Sequence, residues 1–80
     1  AEPNSLASQA MRALNSGDAR QARQLAQQAT QVNPERADGW IVLGAAHDAL
    51  GDHAAALTAY ATCTARAFGP RVATCRALAR

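Results

Sequence analysis

Eighty residues carrying a net charge of +2 make one small domain, too short to wrap two separate cores. Alanine supplies 22 of them and only fifteen side chains are large and apolar, three of these aromatic, which excludes a deep pocket around a buried cofactor. No apolar run approaches the roughly 20 residues of a membrane span, and the excess of Ala, Gln, Leu and Arg over β-branched residues predicts an all-α chain.

The polar start, Ala1-Glu2-Pro3-Asn4, has no apolar core of a signal peptide and fits equally a terminus left by cleavage. A first helix is expected over 4–16, with Leu6, Ala10, Ala13 and Leu14 on one face. Gly17 stops it and Asp18 caps the next, expected over 19–33 with Ala22, Leu25, Ala26, Ala29 and Val32 inward. Asn33-Pro34 breaks the chain, since proline disfavours a helical residue before it. The third helix, 36–50, places Trp40, Leu43, Gly44, His47 and Leu50 three and four apart. Gly51-Asp52 repeats the stop and cap, and 53–67 answers with Ala56, Leu57, Tyr60, Cys63 and Ala67. Gly69-Pro70 ends that helix, and 71–80 forms a last one edged by Val72, Cys75 and Leu78.

The two Gly-Asp pairs stand 34 residues apart, and the same shift lays Leu6 on Trp40, Ala10 on Gly44, Ala22 on Ala56 and Ala29 on Cys63. A helix pair repeated at this period marks a stacked helical array. Small residues at Gly44, Ala22, Ala56 and Ala29 suit close approach of helix axes, with Trp40, Leu43, Leu50 and Tyr60 filling the wider gaps. On these residues the chain resembles the tetratricopeptide repeat family: Trp40-x-x-Leu43-Gly44-x-x-His47 followed by Ala56-x-x-x-Tyr60 matches its pattern, with His47 where the family usually has Tyr and Phe68 at its usual Pro. The first unit is degenerate at Leu6, Gln9, Ala10 and Ala13 but keeps Gly17, Ala22, Ala26, Ala29 and Pro34 in register. The whole chain, 1–80, then reads as a single all-α domain: one repeat over about 3–36, a second over about 37–70, and a capping helix over about 71–80.

The resemblance implies a non-catalytic scaffold whose groove, lined by the first helix of each pair, takes a peptide or amphipathic helix of another protein. The alignment puts Asn4, Ala7, Ser8, Met11, Leu14 and Asn15 there from the first unit, and Asp38, Ile41, Val42, Ala45, Asp48 and Ala49 from the second. Val72, Cys75 and Arg76 follow from the last helix. The Lys and Asn pairs with which some members clamp a carboxyl terminus are missing: Asn4, Ser8, Val42, Val72 and Arg76 stand in those places. The apolar strip Met11, Leu14, Ile41 and Val42 suits an apolar partner, unless Ile41 and Val42 merely pack between repeats. A second reading is an architectural segment of a longer array or a homo-oligomer, because arrays commonly need three repeats.

All eight basic residues are Arg, which with the alanine excess suggests a GC-rich bacterial genome and leaves assembly, secretion or envelope systems open. Residues 1–62 hold four Arg against six acids, while 63–80 hold Arg66, Arg71, Arg76 and Arg80 with no acid. Without aromatic neighbours these make a thin nucleic-acid footprint, better explained as a solvated helix with Arg near its carbonyl end. His47, Asp48, Asp52 and His53 gather near the Gly51 turn, but a zinc site needs three or four convergent ligands, and His47 sits on the packing face while Asp52 reads as a cap. No nucleophile–base spacing, carboxylate pair or phosphate loop appears, so neither enzyme nor metal nor cofactor is expected.

Cys63 and Cys75 each lie six residues from Gly69, and residues equidistant from the turn of an antiparallel hairpin face one another. A disulfide there would stabilise by roughly 3 kcal/mol and imply an oxidising compartment, the periplasm or the cell exterior. The alternative is two small buried thiols in a cytoplasmic protein.

Overall fold

The computed structural model describes residues 5–79. Five helices follow in order: α1 (Leu6–Asn15), α2 (Ala19–Val32), α3 (Ala37–Ala49), α4 (His53–Arg66) and α5 (Val72–Leu78). The helices are each a residue or more shorter than the sequence pattern suggests, because the pattern counts the capping residues. Ser5 Oγ accepts from the Ser8 N–H, Asp18 from that of Gln21 and Asp52 from that of Ala55, each at 3.1 Å.

The two repeats turn in the same way. Gly17 and Gly51 have φ of +89° and +85°, the left-handed conformation that glycine takes without strain. The Asp18 N–H then donates to the Ala13 carbonyl and the Asp52 N–H to that of His47, both at 2.9 Å, satisfying carbonyls the helix end would leave bare. One aspartate backbone thus closes the outgoing helix while its side chain opens the next.

Helices α1–α2 and α3–α4 form antiparallel hairpins, with α3 laid against α2 and α1, and α5 against α4 and α3. One core cluster joins Ala10, Ala26, Val42, Leu43 and Ala59, with Leu14 and Leu25 at its edge; the second joins Ala37, Cys63, Ala67, Val72 and Cys75. Trp40 packs against both, and its indole N–H donates to the Pro34 carbonyl at 2.9 Å. It is partly buried, not enclosed, since that polar edge reaches the inter-repeat loop. Val32, Leu50 and Leu78 from the apolar stripes are exposed at helix ends, and Leu57 is exposed on α4. The loops between helix pairs meet: the Phe68 N–H donates to the Glu35 carbonyl at 2.8 Å, leaving the Phe68 ring 80% exposed.

Candidate functional site

The helices that lead each unit, α1 and α3, run side by side with the start of α5 beyond them. Between them lies a recess of about 240 Å³. From α1 it takes Ala7, Ser8 and Met11; from α3, Asp38, Ile41 and Val42; and Arg71 closes it in front of α5. Residues spaced three and four apart share a helix face, which is why Ser8 and Met11, and Asp38, Ile41 and Val42, arrive together.

The floor is apolar and one rim is charged. Val42 is 2% exposed and belongs to the core, so only its edge reaches the recess. Ile41 is partly buried and Met11 is 37% exposed, making them the accessible apolar surface. At the rim, Arg71 Nη1 donates to Asp38 Oδ1 at 2.9 Å, and Arg36 Nη2 stands 3.7 Å from Asp38 Oδ2. Two guanidinium groups share one carboxylate, in contact with water. Beyond them a wider depression of about 520 Å³ extends to Glu35, Phe68 and Pro70.

Other residues that the alignment assigns to the groove stand elsewhere. Asn15, Ala45 and Asp48 lie farther along α1 and α3, outside the recess, and the Asp48 carboxylate is held by His53 Nδ1 across the Gly51 turn. Arg76 is exposed on α5 and does not reach the recess. Asn4 lies outside the described residues. Arg71 and Arg36 are the residues that pattern reasoning misses. Neither has a periodic position that marks it, since one precedes α5 and the other α3 as N-caps without side-chain capping bonds. They are brought together at Asp38 only by the convergence of the two inter-helix loops, for which the sequence carries no signal.

Asp48, Asp52 and His53, near Gly51, are occupied structurally. Asp52 caps α4, and Asp48 pairs with His53. Among the described residues, no three His, Cys, Asp or Glu side chains converge to hold a metal. Tyr60 is buried against Gly44, and burial together with the negative charge of Asp48 raises its hydroxyl pKa above the ordinary value. Among the described residues no helix is long and apolar enough to cross a membrane.

Cys63 and Cys75 are joined across the α4–α5 hairpin, their Cα atoms 6.0 Å apart and both side chains fully buried. In the comparison with known families, a tetratricopeptide repeat model matches the chain over residues 8–70. No curated protein and no solved structure matches the chain.

Proposed function

Because the chain belongs to the tetratricopeptide repeat family, whose repeats generally mediate contacts between proteins, we propose that its α1–α3–α5 recess binds a peptide or amphipathic helix of another protein. The observation that carries this reading is the accessible apolar pair Met11 and Ile41 set beside the Asp38–Arg71 rim. An apolar anchor flanked by charge gives a partner both affinity and orientation. The role is that of a scaffold without chemistry of its own. The disulfide supports a place in an oxidising compartment, periplasm or cell exterior, and the use of Arg for every basic residue fits a GC-rich bacterial source, in which assembly, secretion and envelope systems all employ such scaffolds.

Crosslinking with mass spectrometry in the source organism names the partner, and titration then tests the site. Met11→Glu changes an exposed position and should leave folding intact, which an unchanged thermal melt checks. It should weaken binding by about tenfold or more, equal to 1.4 kcal/mol. Unchanged affinity would remove the recess from the interface. A second reading, an architectural segment or homo-oligomer, is favoured by the exposed apolar side chains of Val32 and Leu57. Sedimentation separates the two: a monomer at all concentrations argues against self-association.

A further inference from the structure

Helix α5 is the element least able to hold itself in place. Its seven residues make about two turns, well below the roughly 12–15 at which an isolated helix becomes marginal. Arg71 offers it no side-chain cap, and Val72 and Cys75 are its buried residues. Three attachments fix it: the packing of those two side chains against Ala37, Ala67, Trp40 and Ile41, the Arg71–Asp38 ion pair, and the disulfide to Cys63. The ion pair is solvent-exposed and therefore weak, and the packed patch is small. The covalent bond dominates.

That bond also governs the recess. Arg71 leads directly into α5 and forms one wall, while Ile41, on the floor, packs against the cluster that α5 completes. We infer that the Cys63–Cys75 disulfide is a redox latch on the α1–α3–α5 recess: oxidised, it holds the Arg71 wall in place, and reduction by a dithiol frees α5 and dismantles that wall. The inference rests on the recess being the partner site. A dithiol supplies the two electrons and two protons. One of its sulfurs, as thiolate, attacks Cys63 or Cys75, the protein S–S bond breaks to a mixed disulfide, and the second dithiol sulfur displaces it, leaving an oxidised dithiol and two protein thiols. Both cysteines are fully buried, so the attack waits for a brief local opening around the still-tethered α5. A partner seated on Arg71 and Ile41 stabilises the closed form and lowers the population of the opened one, so it slows a reduction that proceeds through that opening.

Dithiothreitol acting on the intact protein tests this. Trp40 is the one tryptophan in the chain and packs on the α5 cluster, so its emission reports the release directly. After reduction its emission should shift to the red, and amide protection over 72–78 should fall by about tenfold or more while α1–α4 stay protected. The Cys63→Ser/Cys75→Ser variant should show the same pattern without reductant. Undiminished protection of α5 in the reduced wild type overturns the latch, because packing alone would then suffice. Even loss across all five helices also overturns it, because the bond would then hold the whole domain and not one wall. These readouts need no partner, so they stand or fall apart from the Met11→Glu binding test. With the partner at saturation, the reduction rate should drop; an unchanged rate would uncouple the bond from the recess.

Discussion

The two hairpins carry the same turn and cap but fill their interiors in opposite ways. At the position where α3 has Gly44, α1 has Ala10; where α4 has Tyr60, α2 has Ala26. In the first hairpin two fully buried alanines let the helices meet at modest distance on both sides. In the second, α3 gives up its side chain altogether, and the buried Tyr60 ring lies over the Gly44 backbone. What the repeat preserves is the space between helix axes, which either equal or unequal partners can fill. The hairpins differ also in their surroundings. Helix α3 touches α1, α2, α4 and α5, whereas α1 has α2 and α3. The same substitution should therefore act strongly in α3 and weakly in α1.

Val42 and its counterpart 34 residues earlier, Ser8, give the largest contrast. Both line the recess, yet Val42 is 2% exposed in the core and Ser8 is partly buried in the first turn of α1. Val42→Asp buries a charge without a partner, at a cost of several kcal/mol in a domain holding about 5–15 in all. It should unfold the protein as fully as Leu43→Asp. Ser8→Asp places a carboxylate near a helix N-terminus, where it is favourable, and should move stability by no more than about 0.5 kcal/mol. Chemical denaturation of the three variants checks this; a Val42→Asp protein with a native melt would return Val42 to the surface.

Val42 also marks where the sequence stops being readable. Gly17, Gly51 and their aspartates are legible because one local conformation demands those residues, and the 34-residue shift then sets the helix order. The Cys63–Cys75 juxtaposition follows from their equal distance to Gly69. Helix α3, however, is apolar on nearly every side, burying Ala37, Gly39, Val42, Leu43, Gly44 and Ala46. Periodicity there has no polar face to set its phase, so the sequence leaves Val42 open between groove and inter-repeat packing, and the structure puts it in the core with one edge at the recess. Trp40 reads as a filler of the gap between helices and packs against both core clusters, but nothing in the pattern shows that its N–H stays at the loop for the Pro34 carbonyl. The rim is illegible for another reason: Arg36, Asp38 and Arg71 meet only because two loops converge, and no spacing within one helix encodes that.

Gly44 sharpens the contrast in packing. An added Cβ would fall among the Tyr60 ring carbons, inside van der Waals contact, and the ring is buried and cannot swing clear. Gly44→Ala should cost about 1–3 kcal/mol despite the helix propensity it gains. Gly39 is the control within α3. Its added Cβ would meet the Ala29 Cβ at 3.1 Å and the Thr30 Cγ2 at 3.3 Å, so α2 has to give by only a few tenths of an ångström, far less than the Tyr60 ring at Gly44. There the propensity gain and the crowding should nearly offset each other, leaving a change below about 1 kcal/mol. Equal losses at the two glycines would mean that the Tyr60 ring yields, and that the second hairpin is no tighter than the first.

The turns should break the contrast, because there the repeats are alike. Gly17 and Gly51 both have positive φ and open space around the missing side chain. Alanine at either position should cost roughly 1–2 kcal/mol through backbone strain alone. Thermal denaturation should give the same loss for both within error. A larger effect at Gly51 would show that contacts around its turn, such as the Asp48–His53 pair, add to the backbone requirement.

The smallest expected effect separates the hairpins again, now by pH. Burial and the charge of Asp48 both disfavour the tyrosinate at Tyr60, so its folded pKa lies above the ordinary 10.0. As pH rises through that ordinary value, the unfolded chain loses its phenol proton first while the folded chain keeps it. The unfolded state then binds fewer protons, and stability must fall with pH. The contribution is complete below pH 10 and disappears as pH climbs through the folded pKa. Ala26, at the matching place in the first hairpin, has nothing to titrate. Tyr60→Phe keeps the ring over Gly44 and deletes the proton, so its melting temperature should decline less than that of the wild type between about pH 9 and 11. Parallel decline in the two proteins would show that Tyr60 ionises as freely in the fold as in water, and that the ring's hydroxyl edge is wetter than its packing against Gly44 implies.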